Sequence, residues 1–328
     1  MSHSIQIAGS ELRFDCAAGQ TVLDAALQAG IELPYSCRKG VCGSCAGGVA
    51  AGQVTPVPGV TAHSEHCPPG QQLYCACTPA GDLVIAPATY RKLDPGARKA
   101  LQAKVYRHTL AAPDVSLLQL RFAAGQRVRF AAGQYLQVLL EDGSRRSFSM
   151  ANAPHESDGV TLHIRHVPGG RFTAKLPAMA AGDLVRVELP YGSFVLDGSS
   201  VQPLVFVAGG TGFAPVKSML DDLMRRGVQR PVRLFWGARR REGLYLLEAV
   251  ERWRKFFRDF VFVPALADEA AEGMHRGPIH EALAAHAGPL AGQALYCCGS
   301  PPMVDAVRAT ALSQGLAPAD FHADVFVS

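Results

Sequence analysis

The 328-residue sequence predicts a multidomain protein of the α+β and α/β classes. A small mixed α/β module, an antiparallel β-barrel and a parallel α/β sheet are expected in that order. Three observations predict this architecture. At about 100–200 residues per domain, the length suggests two or three domains. Short strand patterns separated by turn signals fill the middle of the chain, and strand and helix patterns alternate from residue 204 onward.

The first module combines a hairpin, a helix and an irregular segment. Residues 5–14 alternate apolar and polar side chains around a turn, which is a hairpin pattern. Thr21 is predicted to cap a short helix that Gly30 ends. Residues 36–48 are dense in Gly and Cys, so no regular structure is expected there, and a strand is predicted at 83–85.

The two following modules are recognised by their strand spacing. Barrel strands are predicted at residues 102–108, 116–122, 135–140, 160–166 and 184–189. In the parallel sheet, strands are predicted at 204–208, 232–236, 260–264 and 295–298, with helices near 215–226, 243–257, 278–286 and 303–314. The predicted boundaries are 1–88 for the first module, 89–100 for a linker, 101–199 for the barrel and 200–328 for the sheet.

Composition excludes several classes of protein. With 48% hydrophobic and 18% charged residues, the chain is too apolar for a disordered protein. No run approaches 18 apolar residues, so no membrane partner is expected. The net charge of +4 argues against nucleic acid as the main partner. The N-terminus lacks the pattern of a secretory signal, so we expect a cytoplasmic protein.

Four cysteines have the spacing of plant-type [2Fe–2S] ligands. Cys37, Cys42 and Cys45 are followed by 29 residues and then Cys75. A zinc ribbon would favour two CxxC pairs, and only one pair here has that spacing. Cys77 competes with Cys75 for the fourth position, and we favour Cys75 because its interval is the usual one.

The remaining thiols and histidines of the first module have simpler interpretations. Cys16 and Cys67 are predicted to be buried small apolar residues. His63, His66 and Cys67 could suggest a metal site, but a solvated loop is the better interpretation. Gly40 and Gly43 let the cysteine loop bend, so that its backbone N–H groups can point at the sulfurs.

These motifs carry a resemblance to a known family. The segment 35–45 resembles the cluster loop of a plant-type ferredoxin, and the chain after it resembles the ferredoxin–NADP reductase superfamily. The order of modules is similar to that of NADH-dependent reductase components of multicomponent oxygenases. A narrower resemblance, carried by 145–154, 209–219 and 321–327, is to CDP-6-deoxy-Δ3,4-glucoseen reductases of deoxysugar synthesis. It implies a β-grasp 2Fe–2S ferredoxin domain, an FAD-binding β-barrel and a nicotinamide-binding α/β domain.

The resemblance assigns a flavin site to the barrel. It places Arg146 on the flavin phosphate, Phe148 against the ring and Ser149 near flavin N5 as a catalytic residue. Phe148 stands where the family often has Tyr. Gly169 and Gly170 allow backbone amides to approach a pyrophosphate, which Thr173 can contact through its hydroxyl. FAD is expected rather than FMN.

Two further barrel residues are candidates for the same site. Asn152 is expected to contact the cofactor. His163 and His166 are interpreted as structural side chains of the neighbouring strand, and His163 is kept among the candidate cofactor-binding residues.

The nicotinamide site is expected at the ends of the parallel strands. Gly209, Gly210, Thr211 and Gly212 follow an apolar strand and open a helix, where a pyrophosphate could bind. The run lacks the third glycine of the dinucleotide fingerprint. By resemblance, Cys298 lies beside nicotinamide C4 and flavin N5 as a second catalytic residue, with Gly299 next to it, and Cys297 is structural.

Two parts of the predicted nicotinamide site each have two possible interpretations. Arg239 and the two arginines after it could hold a 2′-phosphate and favour NADPH, or could be solvated with NADH as the donor. NADH is favoured and NADPH is not excluded. Phe326 belongs to a C-terminal aromatic region that lies near the flavin in the family, although it could equally pack in the core.

The resemblance implies an enzyme that passes electrons from NAD(P)H through FAD and a 2Fe–2S cluster to a partner protein. It also implies a monomer, because single chains of this kind are usually monomeric. The first predicted partner is a PLP-type dehydratase that carries a CDP-hexulose intermediate of deoxysugar synthesis. The alternative is the terminal component of a mono- or dioxygenase. A carrier without catalytic turnover is disfavoured because both the flavin and the nicotinamide motifs are intact.

Overall fold

The computed structural model describes residues 2–58, 60, 67–94 and 96–326. Their contacts divide the chain into two compact units. One unit contains the residues up to Ala97 together with those from Ala323 onward, and the other contains Arg98–His322.

The first unit is built on a mixed five-stranded sheet with the order β2-β1-β8-β4-β6. Two small pairs, β3 with β9 and β5 with β7, complete it. The strands are β1 Ser2–Ile7, β2 Arg13–Ala17, β3 Ile31–Glu32, β4 Ala46–Ala51, β5 Val54–Pro56, β6 Gln71–Leu73, β7 Cys77–Pro79, β8 Leu83–Pro87 and β9 Arg91–Lys92, and the helix is α1 Val22–Gln28. The Thr21 cap is confirmed, because its Oγ1 accepts a hydrogen bond from the Asp24 N–H.

Two expectations for this part of the chain differ from the structure. The cysteine-rich segment is predicted to be irregular through Gly48, but β4 begins at Ala46. Glycine is needed there because the ring of Tyr74 lies directly over Gly47, and the Tyr74 hydroxyl donates to the Gly48 carbonyl oxygen at 2.6 Å. The predicted linker 89–100 also contains structure, since β9 pairs with β3 and the next strand starts at Lys99.

The first half of the second unit is an antiparallel barrel with the order β13-β12-β15-β10-β11-β14. A bridge between Met150 and Leu162 joins its two end strands and closes it. Leu118, Leu136 and Leu162 are among the fully buried side chains of its core. The strands are β10 Lys99–Ala112, β11 Val115–Arg121, β12 Tyr135–Leu139, β13 Arg145–Ser149, β14 Gly159–Arg165 and β15 Leu184–Tyr191.

The second half is built on a parallel sheet whose five strands have the order β19-β18-β17-β16-β20. The chain turns from one side of β16 to the other, so the carboxyl ends of β16 and β20 form the switch point where ligands bind in such sheets. The elements are β16 Leu204–Gly209, α2 Phe213–Arg225, β17 Val232–Ala238, α3 Leu247–Phe256, β18 Phe260–Leu266, β19 His275–Arg276, α4 Ile279–His286, β20 Ala294–Gly299 and α5 Pro301–Ser313. The last strand, β21 Phe321–Val325, begins in this unit, and its residues from Ala323 onward belong to the first unit.

Within the described residues, no helix is long and apolar enough to cross a membrane.

Candidate functional site

The cysteine loop brings its thiols together through unusual backbone angles. Arg38, Gly40 and Gly43 all have positive φ, at 54°, 76° and 77°, so the loop bends as the glycines predicted. The Lys39 N–H donates to Cys37 Sγ at 3.4 Å. Backbone N–H groups therefore point at sulfur, which is the arrangement that stabilises thiolate ligands.

The four predicted metal ligands form two close pairs. Cys45 Sγ and Cys75 Sγ are 3.2 Å apart, and Cys37 and Cys42 share a hydrogen bond between their thiols. The Cys37 hydrogen bond lowers the pKa of the Cys42 thiol, and the Cys45 hydrogen bond lowers the pKa of the Cys75 thiol. All four sulfurs belong to the first unit. This donor set fits a [2Fe–2S] cluster.

The other thiols of this unit have different surroundings. Cys77 is buried at the start of β7, and desolvation is the main cause that raises its pKa to about 12. Cys16 is fully buried, as expected, whereas Cys67 is only half-buried. His63 and His66 lie outside the described residues.

The predicted flavin residues lie on β13 and on the loop after β14. Arg146 is half-buried, and within the described residues its guanidinium forms no ion pair; it donates to the Arg145 carbonyl oxygen at 2.8 Å. Phe148 packs against Phe172 with ring centroids 5.4 Å apart, and Ser149 is buried. A half-buried guanidinium without an acidic partner fits a phosphate ligand.

The second flavin segment is a tight loop. Gly169 has a φ of 71°, and Gly170 packs closely against Thr173. The Thr173 hydroxyl donates to the Val167 carbonyl oxygen at 3.0 Å, so in this structure it fixes the loop. Exposed backbone at Gly169 fits the approach of a pyrophosphate.

Asn152 and His163 are structural in their contacts. The Asn152 amide donates to the carbonyl oxygens of Glu156 and Gly159 and accepts from the Thr161 N–H, at 3.0, 3.2 and 2.9 Å. His163 lies within hydrogen-bond distance of the Tyr245 hydroxyl, 3.0 Å from its Nδ1. Their predicted cofactor contacts stay predictions.

The glycine run after β16 is enclosed by its neighbours. A side chain on Gly212 would collide with the Cys298 carbonyl oxygen, and one on Gly209 or Gly299 would collide with the Met303 sulfur. Gly210, with a φ of 53°, lies against the Arg165 guanidinium, and Thr211 is buried. The loop ends at the N-terminus of α2, so N–H groups and a cation meet at the switch point, which fits a pyrophosphate.

Cys298 and Cys297 are both buried on β20, and the Cys298 backbone lies against Gly212. Arg239 is exposed after β17, and within the described residues neither it nor the next two arginines form an ion pair. Phe326 is half-buried and belongs to the first unit. Its predicted place beside the flavin stays a prediction.

Sequence reasoning missed three residues that contact these segments: Arg165, Lys217 and Ser218. Arg165 follows His163 by two positions on β14, and alternation along a strand does not show which ligand segment either side chain meets. Lys217 and Asp221 have an i, i+4 spacing that predicts an ion pair, but the sequence does not show which element this pair faces.

Burial of His163 predicts an acid-sensitive stability. Desolvation lowers its pKa to about 3 from an ordinary value of 6.5. A base with a depressed pKa stabilises the fold above its unfolded pKa, and this contribution is lost as the pH falls from 6.5 toward 3. As the pH falls through this range, the free energy of unfolding of the wild type should decrease by about 1.4 kcal/mol per pH unit more than that of His163→Asn. Denaturant unfolding at about pH 7 and about pH 5 measures it, and equal pH slopes would contradict it.

Comparison with known proteins identifies the class. Residues 5–80 match the 2Fe-2S iron-sulfur cluster binding domain, residues 102–196 the oxidoreductase FAD-binding domain, and residues 206–309 the oxidoreductase NAD-binding domain. Together with the folds described above, these matches define an oxidoreductase that uses NAD(P)H, FAD and a 2Fe–2S cluster. The predicted fold class and cofactors are confirmed.

Relatives that align over the full length of the chain narrow the class of oxidoreductase further. All of it aligns at 53% identity with 98% of the terephthalate 1,2-dioxygenase reductase component 1 of Comamonas sp.. All of it also aligns at 31% identity with 99% of a CDP-6-deoxy-L-threo-D-glycero-4-hexulose-3-dehydrase reductase of Yersinia pseudotuberculosis serotype I. The cytochrome P450 reductase GcoB of Amycolatopsis has a similar structure, with a TM-score of 0.82 at 30% identity over 99% of each chain.

The chain belongs to the family of NAD(P)H-dependent iron–sulfur flavoprotein reductases, in which a plant-type ferredoxin domain is fused to a ferredoxin–NADP reductase-type module. Its relatives include reductases of dioxygenase and of hexulose-dehydrase systems.

Proposed function

We propose that this protein is the reductase component of a multicomponent dioxygenase, and that it delivers electrons from NAD(P)H to the oxygenase component. The observation that carries the proposal is the 53% identity over the full length to a dioxygenase reductase component. The hexulose-dehydrase reductase is 31% identical over a similar length. This difference reverses the order in which the sequence ranked the two partners.

The cofactor sites support this role. Cys37, Cys42, Cys45 and Cys75 hold the 2Fe–2S cluster, Arg146 binds the flavin phosphate, and Phe148 and Ser149 border the flavin ring. When bound, FAD accepts a hydride as an electron pair and releases single electrons, which a 2Fe–2S cluster carries one at a time.

The proposed nicotinamide site lies at the switch point of the parallel sheet. Gly209–Gly212 and the first turn of α2 supply N–H groups to the pyrophosphate, and Arg165 supplies a positive charge. Cys298 borders the nicotinamide, and Arg239 lies where the adenosine ribose is expected. The pyrophosphate and the nicotinamide thus bind at the carboxyl ends of neighbouring strands, β16 and β20.

Capture of the electron acceptor tests the proposed partner. Cluster-replete protein is used as bait in the native cells, and bound proteins are identified by mass spectrometry. We expect an oxygenase subunit, and the purified pair should consume oxygen only when NADH or NADPH is present. The proposal also includes a monomer in the cytoplasm, which size-exclusion chromatography and fractionation test.

A PLP-type dehydratase is the second candidate partner, because a full-length relative serves a hexulose dehydrase. Capture of such an enzyme, together with nucleotide-dependent reduction of its CDP-hexulose intermediate, would overturn the oxygenase assignment. The cofactor sites proposed above would be unchanged by that result.

A further inference from the structure

Two polar side chains of α2 form hydrogen bonds to backbone carbonyl groups of the barrel. Ser218 is fully buried, and its Oγ donates to the Asn152 carbonyl oxygen at 2.7 Å. Lys217 Nζ donates to the Ala151 carbonyl oxygen at 3.2 Å and forms an ion pair with Asp221 at 2.8 Å. Both helix and barrel belong to the second unit. We call Lys217 and Ser218, with the two carbonyl groups that they bind, the α2 clamp.

The segment that the clamp holds is tied into the barrel. The Ala151 N–H donates to the Thr161 carbonyl oxygen at 2.8 Å, and Met150 forms the bridge that closes the barrel. The Asn152 side chain makes three hydrogen bonds to the surrounding backbone. The two carbonyl groups are therefore fixed relative to Ser149, the last residue of β13, which immediately precedes this segment.

The helix that carries the clamp begins directly after the glycine run at residues 209–212, which we call the nicotinamide loop. α2 begins at Phe213, immediately after Gly212. Phe213 stacks on Trp236 with ring centroids 3.7 Å apart, and Trp236 Nε1 donates to the Gly210 carbonyl oxygen at 3.1 Å. The Asp221 carboxylate, which holds Lys217, also accepts from Trp253 Nε1 at 2.8 Å. The helix thus connects the loop to the clamp without a flexible joint.

We propose that Lys217 and Ser218 are positioning residues for hydride transfer: they fix the nicotinamide loop relative to the flavin segment that ends at Ser149. This inference rests on the proposed cofactor sites. Hydride transfer requires the donor and acceptor atoms at near-contact distance, and a displacement of about 1 Å can lower a rate about 100-fold. Loss of the Ser218 hydroxyl leaves a buried carbonyl group without its donor, so this side of the clamp opens.

Rapid-mixing measurements on the FAD-loaded protein test the clamp. Ser218→Ala, Lys217→Met and the double variant are mixed with NADH without oxygen, and flavin reduction is followed by absorbance. We expect the limiting reduction rate of the double variant to fall about ten- to 100-fold. The dissociation constants of FAD and NAD⁺, measured by calorimetry, should stay within about twofold of wild type because neither side chain contacts them in the proposed sites.

Two controls separate positioning from stability. Lys217→Arg keeps a donor and should restore most of the rate lost in Lys217→Met, whereas Asp222→Asn alters a surface ion pair of the same helix and should leave the rate unchanged. The primary deuterium isotope effect with 4-deuterated NADH should rise in the double variant, because the hydride step becomes more fully rate-limiting. A lower melting temperature alone would not change this isotope effect.

A double variant whose limiting rate stays within about twofold of wild type, at full FAD occupancy, would overturn the inference. If the double variant does not fold, the same criterion applies to Lys217→Met, whose side chain keeps its apolar stem. Failure of the proposed function is a separate result, because wild-type protein would then not be reduced by NADH or NADPH.

Discussion

Replacement of Cys75 by alanine is expected to remove the 2Fe–2S cluster, while Cys77→Ala keeps it. Cys75 Sγ lies 3.2 Å from Cys45 Sγ, and the Gly40 N–H forms a hydrogen bond with it. Cys77 starts β7, and burial, not a hydrogen bond with a loop thiol, is the main cause that raises the pKa of its thiol. Without Cys75 only three of the four thiolates that a [2Fe–2S] cluster requires remain, so the assembled cluster is lost.

Iron analysis and visible spectra measure this difference. Cys75→Ala should contain almost no iron, keep its FAD, and still reduce an artificial dye with NADH. Its electron delivery to the partner should fall at least about 100-fold, because the single-electron carrier is missing. Cys77→Ala is the matched control, since it removes a neighbouring buried thiol. A Cys75→Ala protein with full iron content, or an iron-free Cys77→Ala protein, would contradict the assignment of the fourth ligand.

Gly212→Ala is expected to abolish nucleotide-dependent activity without affecting the cluster. The new methyl group would collide with the Cys298 carbonyl oxygen and would lie 3.3 Å from the Gly299 nitrogen. These are backbone atoms of β20, so neither can move aside cheaply. The loop and the strand end must therefore separate where the nicotinamide is expected to bind, and NADH-dependent flavin reduction should fall at least about 100-fold.

A graded series controls for a general loss of stability. In Gly209→Ala the methyl group meets the flexible Met303 side chain, so the rate should fall less than in Gly212→Ala. A methyl group on Gly198 would have no other atom within 4 Å beyond its chain neighbours, so Gly198→Ala should behave as wild type. Equal rates for the Gly212 and Gly198 variants, at equal FAD content, would show that the loop does not form the nicotinamide site.

Local patterns predicted most of the fold. The spacing of Cys37, Cys42 and Cys45 identified the cluster loop, and Thr21 marked the start of α1, because such signals act within a few residues. Strands such as Val232–Ala238 were found within a few residues of their ends. The strand at Ala46 was missed because its glycines are required by the Tyr74 ring, which is distant in sequence.

Tertiary contacts account for what the sequence could not show. The glycines at 209 and 212 suggested room for a ligand, whereas the structure shows that Met303 and Cys298 also require them. Ser218 lies within a motif that indicated a helix, but its contact with Asn152 spans 66 residues. Partner identity has no local signature at all, since docking surfaces are assembled from separate segments.

An anaerobic titration with NADH, followed by absorbance and electron paramagnetic resonance, tests the proposed route of electrons most directly. We expect the visible bands to bleach and the signal of a reduced 2Fe–2S cluster to develop as nucleotide is added. In Cys75→Ala the flavin bands should still bleach, without the cluster signal. If neither NADH nor NADPH bleaches iron-replete wild-type protein, or if the flavin is reduced while the cluster stays oxidised, the proposed route is wrong.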